Sequence, residues 1–238
     1  MTELDKNGKD KLRRLLSLTR KAVQDYDLIR EGDRVCVGLS GGKDSLALLT
    51  TLAFLKRFYP KHFTLSAVTV SLGFEGMDFT PMREYCASLE VPLKVVESDI
   101  AEIVFNIRKE QNPCALCANL RRGAVNDSAG QLGCNVVALE TALLSLFYEG
   151  RYYCFPPATF LERAQVRVIR PFLYVEEREI RQFAEATSLP IVQNPCPMDR
   201  ASSRAEIKEL IRTLERDNKF LRSNLFGAVK RNIWNSEN

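Results

Sequence analysis

The stretch Arg34–Thr51, RVCVGLSGGKDSLALLTT, constrains this chain more than any other. Val35, Cys36, Val37 and Leu39, broken only by Gly38, predict a buried strand. Ser40-Gly41-Gly42-Lys43-Asp44-Ser45 then turns the chain, and Leu46-Ala47-Leu48-Leu49 opens a helix. Strand, glycine turn and helix start together describe an anion site. Two consecutive glycines let backbone N–H groups approach an oxyanion closely, and the unpaired donors and dipole of a helix N-terminus favour its negative charge. Phosphate is the natural ligand. The turn is neither the G-x-x-x-x-G-K-[ST] loop nor the G-x-G-x-x-G dinucleotide fingerprint.

The remaining pattern alternates in the same sense. A basic amphipathic helix is expected over residues 7–28, with Leu12, Leu15, Leu16, Val23 and Leu28 on its inner face, and Glu31-Gly32-Asp33 breaks it. Helices are expected near 42–57 and 77–89, and strands near 64–71 and 92–97. The first two strands start roughly 30 residues apart, the size of a βαβ unit, so they should lie parallel. The fold class is therefore α/β, a doubly wound, mainly parallel sheet with helices on both faces. In such sheets ligands lie beyond the carboxyl ends of the strands, so the loops at 40–45 and 71–76 should line one pocket. Further on, a short helix is expected near 99–108. Asn112-Pro113-Cys114-Ala115-Leu116-Cys117 interrupts the pattern before a helix that starts with Asn119. Strands are expected at 134–139 and 166–169, and helices at 141–148, 175–187 and 203–217, with a frayed tail from Asn232.

The chain has 238 residues, of which 45% are hydrophobic, enough for one large α/β domain with small additions. A net charge of +4 and a pI near 8.7 are compatible with a polyanionic partner but do not require one. No apolar run approaches the roughly 18 residues that span a bilayer, and the charged N-terminus does not read as a signal peptide, so no membrane and a cytoplasmic location are expected. In a reducing compartment, close cysteine pairs are more often metal or redox groups than disulfides. Cys114 and Cys117 form a C-x-x-C, followed at once by Arg121 and Arg122, and Cys196 sits between two prolines. A four-cysteine zinc site would need a second close pair. Three thiolates around a cluster would leave one iron open to sulfide. Cys36, Cys86, Cys134 and Cys154 read as small buried hydrophobes, and His62 as solvated.

The segments SGGKDSLALL, LGFEGMDF (72–79), PCALCANLRRG (113–123), VIRPFLYVEEREI (168–180) and NPCP (194–197) together resemble the tRNA 2-thiocytidine synthetase family, within the N-type ATP pyrophosphatase (PP-loop) superfamily. The resemblance covers nearly the whole chain and implies an adenine nucleotide alpha hydrolase-like fold. It also implies ATP-dependent tRNA thiolation through an adenylated base. Ser40, Gly41, Gly42 and Ser45 would hold pyrophosphate, Lys43 would offset its charge, and Asp44 would help place Mg²⁺. Cys114, Cys117 and Cys196 would bind a 4Fe-4S cluster, with Arg121 as the substrate-anchoring or catalytic cation alongside Lys43. The implied partners are tRNA, a sulfur donor (a cysteine desulfurase or inorganic sulfide) and a second copy in a homodimer. Domain boundaries are expected at 1–30 for an N-terminal helical extension, 31–200 for the PP-loop domain with its iron-sulfur site, and 201–238 for a C-terminal helical segment. The alternatives are another PP-loop ligase with a zinc site, or a non-catalytic RNA-binding paralogue stabilised by a cluster or zinc.

One feature departs from the family pattern. A short loop with histidines and paired aspartates is expected after the strand at 134–139, yet Leu139 runs directly into Glu140. Strand-to-helix joints generally take about 2 to 6 residues. Either a loop has been left out of the sequence or the protein lacks it.

Overall fold

Burial on both faces of the first strand, β1 (Asp33–Leu39), sets the architecture. Val35, Val37 and Leu39 enter one apolar cluster and Cys36 enters another on the opposite face, so the strand is covered on both sides. The computed structural model describes residues 5–74, 76–109, 113–139, 156–192, 195–196, 211 and 213–234. The other strands are β2 (Phe63–Val70), β3 (Leu93–Val96), β4 (Val136–Ala138), β5 (Ala158–Leu161) and β6 (Val166–Ile169). They form one sheet in the order β3-β2-β1-β4-β6-β5. Every neighbouring pair is parallel except β5 with β6. The strand order reverses between β1 and β4, the place where an open α/β sheet leaves a ligand crevice.

Helices α1 (Lys6–Asp25), α2 (Lys43–Leu55), α3 (Thr80–Ser88) and α5 (Glu177–Thr187) supply side chains to the first cluster. The π-helix Glu102–Ile107 and α4 (Pro113–Gln131) supply the second. Leu46, Leu48, Leu49, Leu52 and Leu55 of α2 are all fully buried, because α2 lies between the sheet and the pair α1 and α5. Each such leucine contributes roughly 1.5–3 kcal/mol of transfer free energy, so the helix that begins at the glycine turn is anchored in the deepest part of the core. α1 buries Leu12, Leu15, Ala22 and Val23 and keeps Arg13, Arg14, Arg20 and Lys21 exposed, as its sequence pattern requires.

At the amino ends of the strands a polar network ties β1, β4 and β6 together. Asp33 Oδ2 accepts from Arg167 Nη2 at 2.7 Å and from the Arg30 amide at 2.8 Å, and Asp33 Oδ1 accepts from Asn135 Nδ2 at 2.8 Å. Asn135 Oδ1 in turn accepts from the Arg34 amide at 2.7 Å.

Several boundaries differ from expectation. The helix expected from Asn119 begins at Pro113, because proline fits the first turn, where its missing N–H costs nothing. The helix expected near 99–108 is largely π-helical. The edge strand β5 carries too short a pattern to be read, and the tail is π-helical over Lys230–Trp234, past Asn232. Of the helix expected at 203–217, residue 211 and residues 213–217 are described and helical. The helix expected at 141–148, Cys154, and the joint at Glu140 lie outside the described residues.

The chain divides into two compact units, Met1–Glu140 with Ala158–Pro195, and Thr141–Pro157 with Cys196–Asn238. In the second, helix Leu221–Val229 runs into the π-helix Lys230–Trp234, and the Phe226 and Trp234 rings meet edge-on at 5.6 Å. Among the described residues no helix is long and apolar enough to cross a membrane.

Candidate active site

The glycine turn sits at the carboxyl end of β1, beside the reversal point. Gly41 has φ +82°, and a Cβ there would lie 3.1 Å from Val192 Cβ, so only glycine fits without strain. The Val192 amide also donates to the Gly41 carbonyl at 3.0 Å. Gly42 is the N-cap of α2 and supplies no side-chain cap, which leaves the first amides of the helix for an anion. The two serines pin the loop from within. Ser45 Oγ donates to the Gly42 carbonyl at 3.0 Å and accepts from the Ser40 amide at 3.2 Å, and the two hydroxyls stand 3.2 Å apart.

Lys43 Nζ meets both carboxylate oxygens of Asp44, at 2.8 and 3.0 Å, and Glu177 Oε1 at 3.4 Å. Sequence reasoning missed Glu177. In the run Glu176-Glu177-Arg178-Glu179 it reads as one more acidic residue at a helix start, and the structure does place a capping box between Glu176 and Glu179. Only the packing of α5 against α2 brings the intervening Glu177 to the loop.

The opposite wall comes from α4. Ser40, Thr69, Leu72, Met77, Phe79 and Arg121 line one cleft, so the loops that follow β1 and β2 do share a pocket. The β2 loop is held by Ala101 donating to the Leu72 carbonyl at 2.8 Å and by Gly73, where a Cβ would lie 2.8 Å from the Ser98 carbonyl oxygen. Close approach of α4 depends on Gly38, since a Cβ there would lie 2.7 Å from Leu139 Cδ2 and 3.3 Å from Val125 Cγ1. Arg121 Nε is buried and has no hydrogen-bond partner among the described residues, while Nη2 donates to Cys117 Sγ at 3.5 Å.

Cys114 and Cys117 stand one turn apart on α4, with Arg121 one turn further along the same stripe. Cys114 is exposed, Cys117 and Cys196 are half-exposed, and none is in a disulfide. Soft thiols on one helix face beside a guanidinium fit two ligands of an iron-sulfur cluster. Cys196 belongs to the second unit. Among the described residues no group of three or more His, Cys, Asp or Glu side chains is arranged to hold a metal ion. The buried thiols have other surroundings. Cys36 is pushed far up by the Cys134 thiol and by burial, Cys134 is lowered by hydrogen bonding from Cys36 and also from Ser66, and burial pushes Cys86 up to about 11.

Residues 10–214, a span that holds every candidate residue from Ser40 to Cys196, match the family described as a PP-loop domain. The tRNA-cytidine(32) 2-sulfurtransferase of Syntrophotalea carbinolica is 39% identical over 228 residues, covering 91% of this chain and 88% of its own. That of Pelobacter propionicus is 37% identical over 228 residues, covering 91% and 85%. The chain belongs to the tRNA-cytidine(32) 2-sulfurtransferase family. Within this sulfurtransferase family the likeness reaches other lineages, with 36% identity to the Aeromonas salmonicida protein over 88% of this chain and 75% of that one. The U34-tRNA thiolase NcsA from Methanococcus maripaludis, solved with its [4Fe-4S] cluster, superposes with a TM-score of 0.74 over 94% of this chain and 79% of its own. At 22% identity that likeness is one of fold.

Proposed function

We propose that the chain thiolates a cytidine of tRNA in an ATP-dependent reaction. The observation that carries this reading is the shared cleft. Ser40 of the phosphate loop and Arg121, which touches a C-x-x-C thiol, line one pocket at the carboxyl edge of the sheet.

ATP lies with its pyrophosphate against the amides of Gly41, Gly42 and the first turn of α2, and the hydroxyls of Ser40 and Ser45 complete the cradle. Asp44 is the acidic group for Mg²⁺, and Lys43 neutralises phosphate charge. The carbonyl oxygen of the base attacks the α-phosphorus. The bond to the β-phosphate oxygen breaks, pyrophosphate leaves, and the oxygen becomes part of an AMP leaving group. A sulfide nucleophile then adds at the activated carbon and AMP departs with that oxygen. Arg121 faces both the cleft and Cys117, so it stabilises the negative charge that develops on phosphate and sulfur. Cys114, Cys117 and Cys196 would hold a 4Fe-4S cluster, which when bound supplies an open iron for sulfide. The partners on this reading are tRNA and a sulfur donor, a cysteine desulfurase or free sulfide, with the protein acting as a homodimer.

Anaerobic reconstitution with iron and sulfide, followed by incubation with tRNA, ATP and Mg²⁺ and nucleoside mass spectrometry, tests the proposal. A 2-thiocytidine peak that requires ATP is expected. Pyrophosphate exchange without any thiolated nucleoside would point to another PP-loop ligase.

A further inference from the structure

Three charged side chains meet at the rim of the phosphate loop, and only two of them belong to it. Lys43 opens α2, where the positive end of the helix dipole disfavours an ammonium, so its side chain folds onto carboxylates. One is Asp44, next in sequence, at 2.8 and 3.0 Å. The other, at 3.4 Å, is Glu177 from the first turn of α5. Both acids occupy helix N-termini, where their charge is favoured, so two helix ends converge on one ammonium.

We propose that Glu177 is the positioning residue for Lys43: it tethers the ammonium at the rim of the phosphate loop and competes with nucleotide phosphates for it. The inference rests on the reading of this loop as an ATP site. Glu177 suits the role because its own helix is held fast. The capping box of Glu176 and Glu179 closes the first turn, Arg14 of α1 binds Glu179 at 2.8 Å, and the chain beyond α5 returns to hydrogen-bond Gly41 through Val192. Lys43 has a flexible four-carbon stem and can turn toward phosphate, whereas the backbone that carries Glu177 is held in place. A polyphosphate therefore gains the ammonium only in competition with the Glu177 carboxylate. The three side chains are 26–30% exposed, so the effect is moderated by solvent.

Equilibrium binding of a non-hydrolysable ATP analogue at fixed Mg²⁺, paired with pyrophosphate exchange, tests the proposal on wild type, Glu177→Gln and Glu177→Asp. Glu177→Gln removes the charge and keeps the shape, so the analogue should bind about three- to tenfold more tightly, with a lower exchange rate at saturating ATP. Glu177→Asp keeps the charge and shortens the tether, so affinity should stay near wild type while the saturated rate falls. A purely structural Glu177 would shift the melting temperature and leave affinity unchanged. Affinity changed by less than about twofold in a folded Glu177→Gln variant, or weakened, overturns the proposal. Wild-type protein that binds no analogue overturns the ATP reading itself and this inference with it.

Discussion

Arg121 Nη2 stands 3.5 Å from Cys117 Sγ, and the Nε of the same guanidinium is buried without an acceptor among the described residues, at the wall of the cleft that Ser40 also lines. One side chain thus reaches both the cleft and a C-x-x-C thiol. Arg121→Gln should lower tRNA thiolation by about 100- to 1000-fold, the range seen when a donor to developing charge is removed. Arg121→Lys should recover part of that loss, since it restores the charge but not the fork. Thiolation at the wild-type rate in a folded Arg121→Gln protein would take Arg121 out of the mechanism.

Gly41→Ala should cost about 1–2 kcal/mol of stability, because φ is +82° and Val192 leaves no room for a methyl group. It should also weaken ATP binding, as the loop amides move to relieve the contact. Gly38→Ala should cost about 1–3 kcal/mol by pushing Leu139 and Val125 of the opposite face outward. Chemical denaturation together with nucleotide binding distinguishes the two, since Gly38→Ala should leave the loop's intrinsic ATP affinity closer to wild type.

Asp33→Ala should destabilise the protein by about 3 kcal/mol, the penalty for stranding a partner of a buried ion pair. Arg167 and Asp33 are 15% and 6% exposed, and Asn135 loses its acceptor as well. The network lies at the amino ends of the strands, away from the cleft, so ATP affinity should not change. A loss of affinity without a loss of stability would contradict this.

The cysteines should differ in reactivity. Iodoacetamide at pH 8 should label Cys114 first, and peptide mass mapping should find Cys36 and Cys86 unlabelled until the protein unfolds. Cys86 is 1% exposed and burial holds its thiol at about 11 rather than the ordinary 9.0. A folded pKa raised above the unfolded value contributes stability that is complete below pH 9 and is lost as pH rises through 11. Urea midpoints should therefore fall between pH 9 and 11, and Cys86→Ala should flatten that slope.

The site was legible where its function is carried by local chain geometry. Gly41 and Gly42 between a buried strand and an apolar helix point to the proposed anion cradle, and Cys114 with Cys117 point to the proposed ligand pair by their spacing. Arg121 was legible only as a charge close to those cysteines, and its place in the cleft shows only once α4 packs on the sheet. Glu177 carried no local signal, because its contact with Lys43 forms only once α5 packs on α2. The parallel core strands were readable from their apolar runs, whereas β5, with an exposed face at the sheet edge, left too little pattern in Ala158–Leu161.

The hydrogen bond from the Val192 amide to the Gly41 carbonyl sets an order of events during biosynthesis. Gly41 leaves the ribosome with the first strand, but its clasp is translated only after β2 to β6 and α5 have been made. Contacts between such distant residues must await the intervening chain, and they fold slowly. A nascent chain stalled before Val192 would already contain the complete SGGKDS motif and would still lack the amide that fixes its conformation. The nucleotide loop is translated early and closed late.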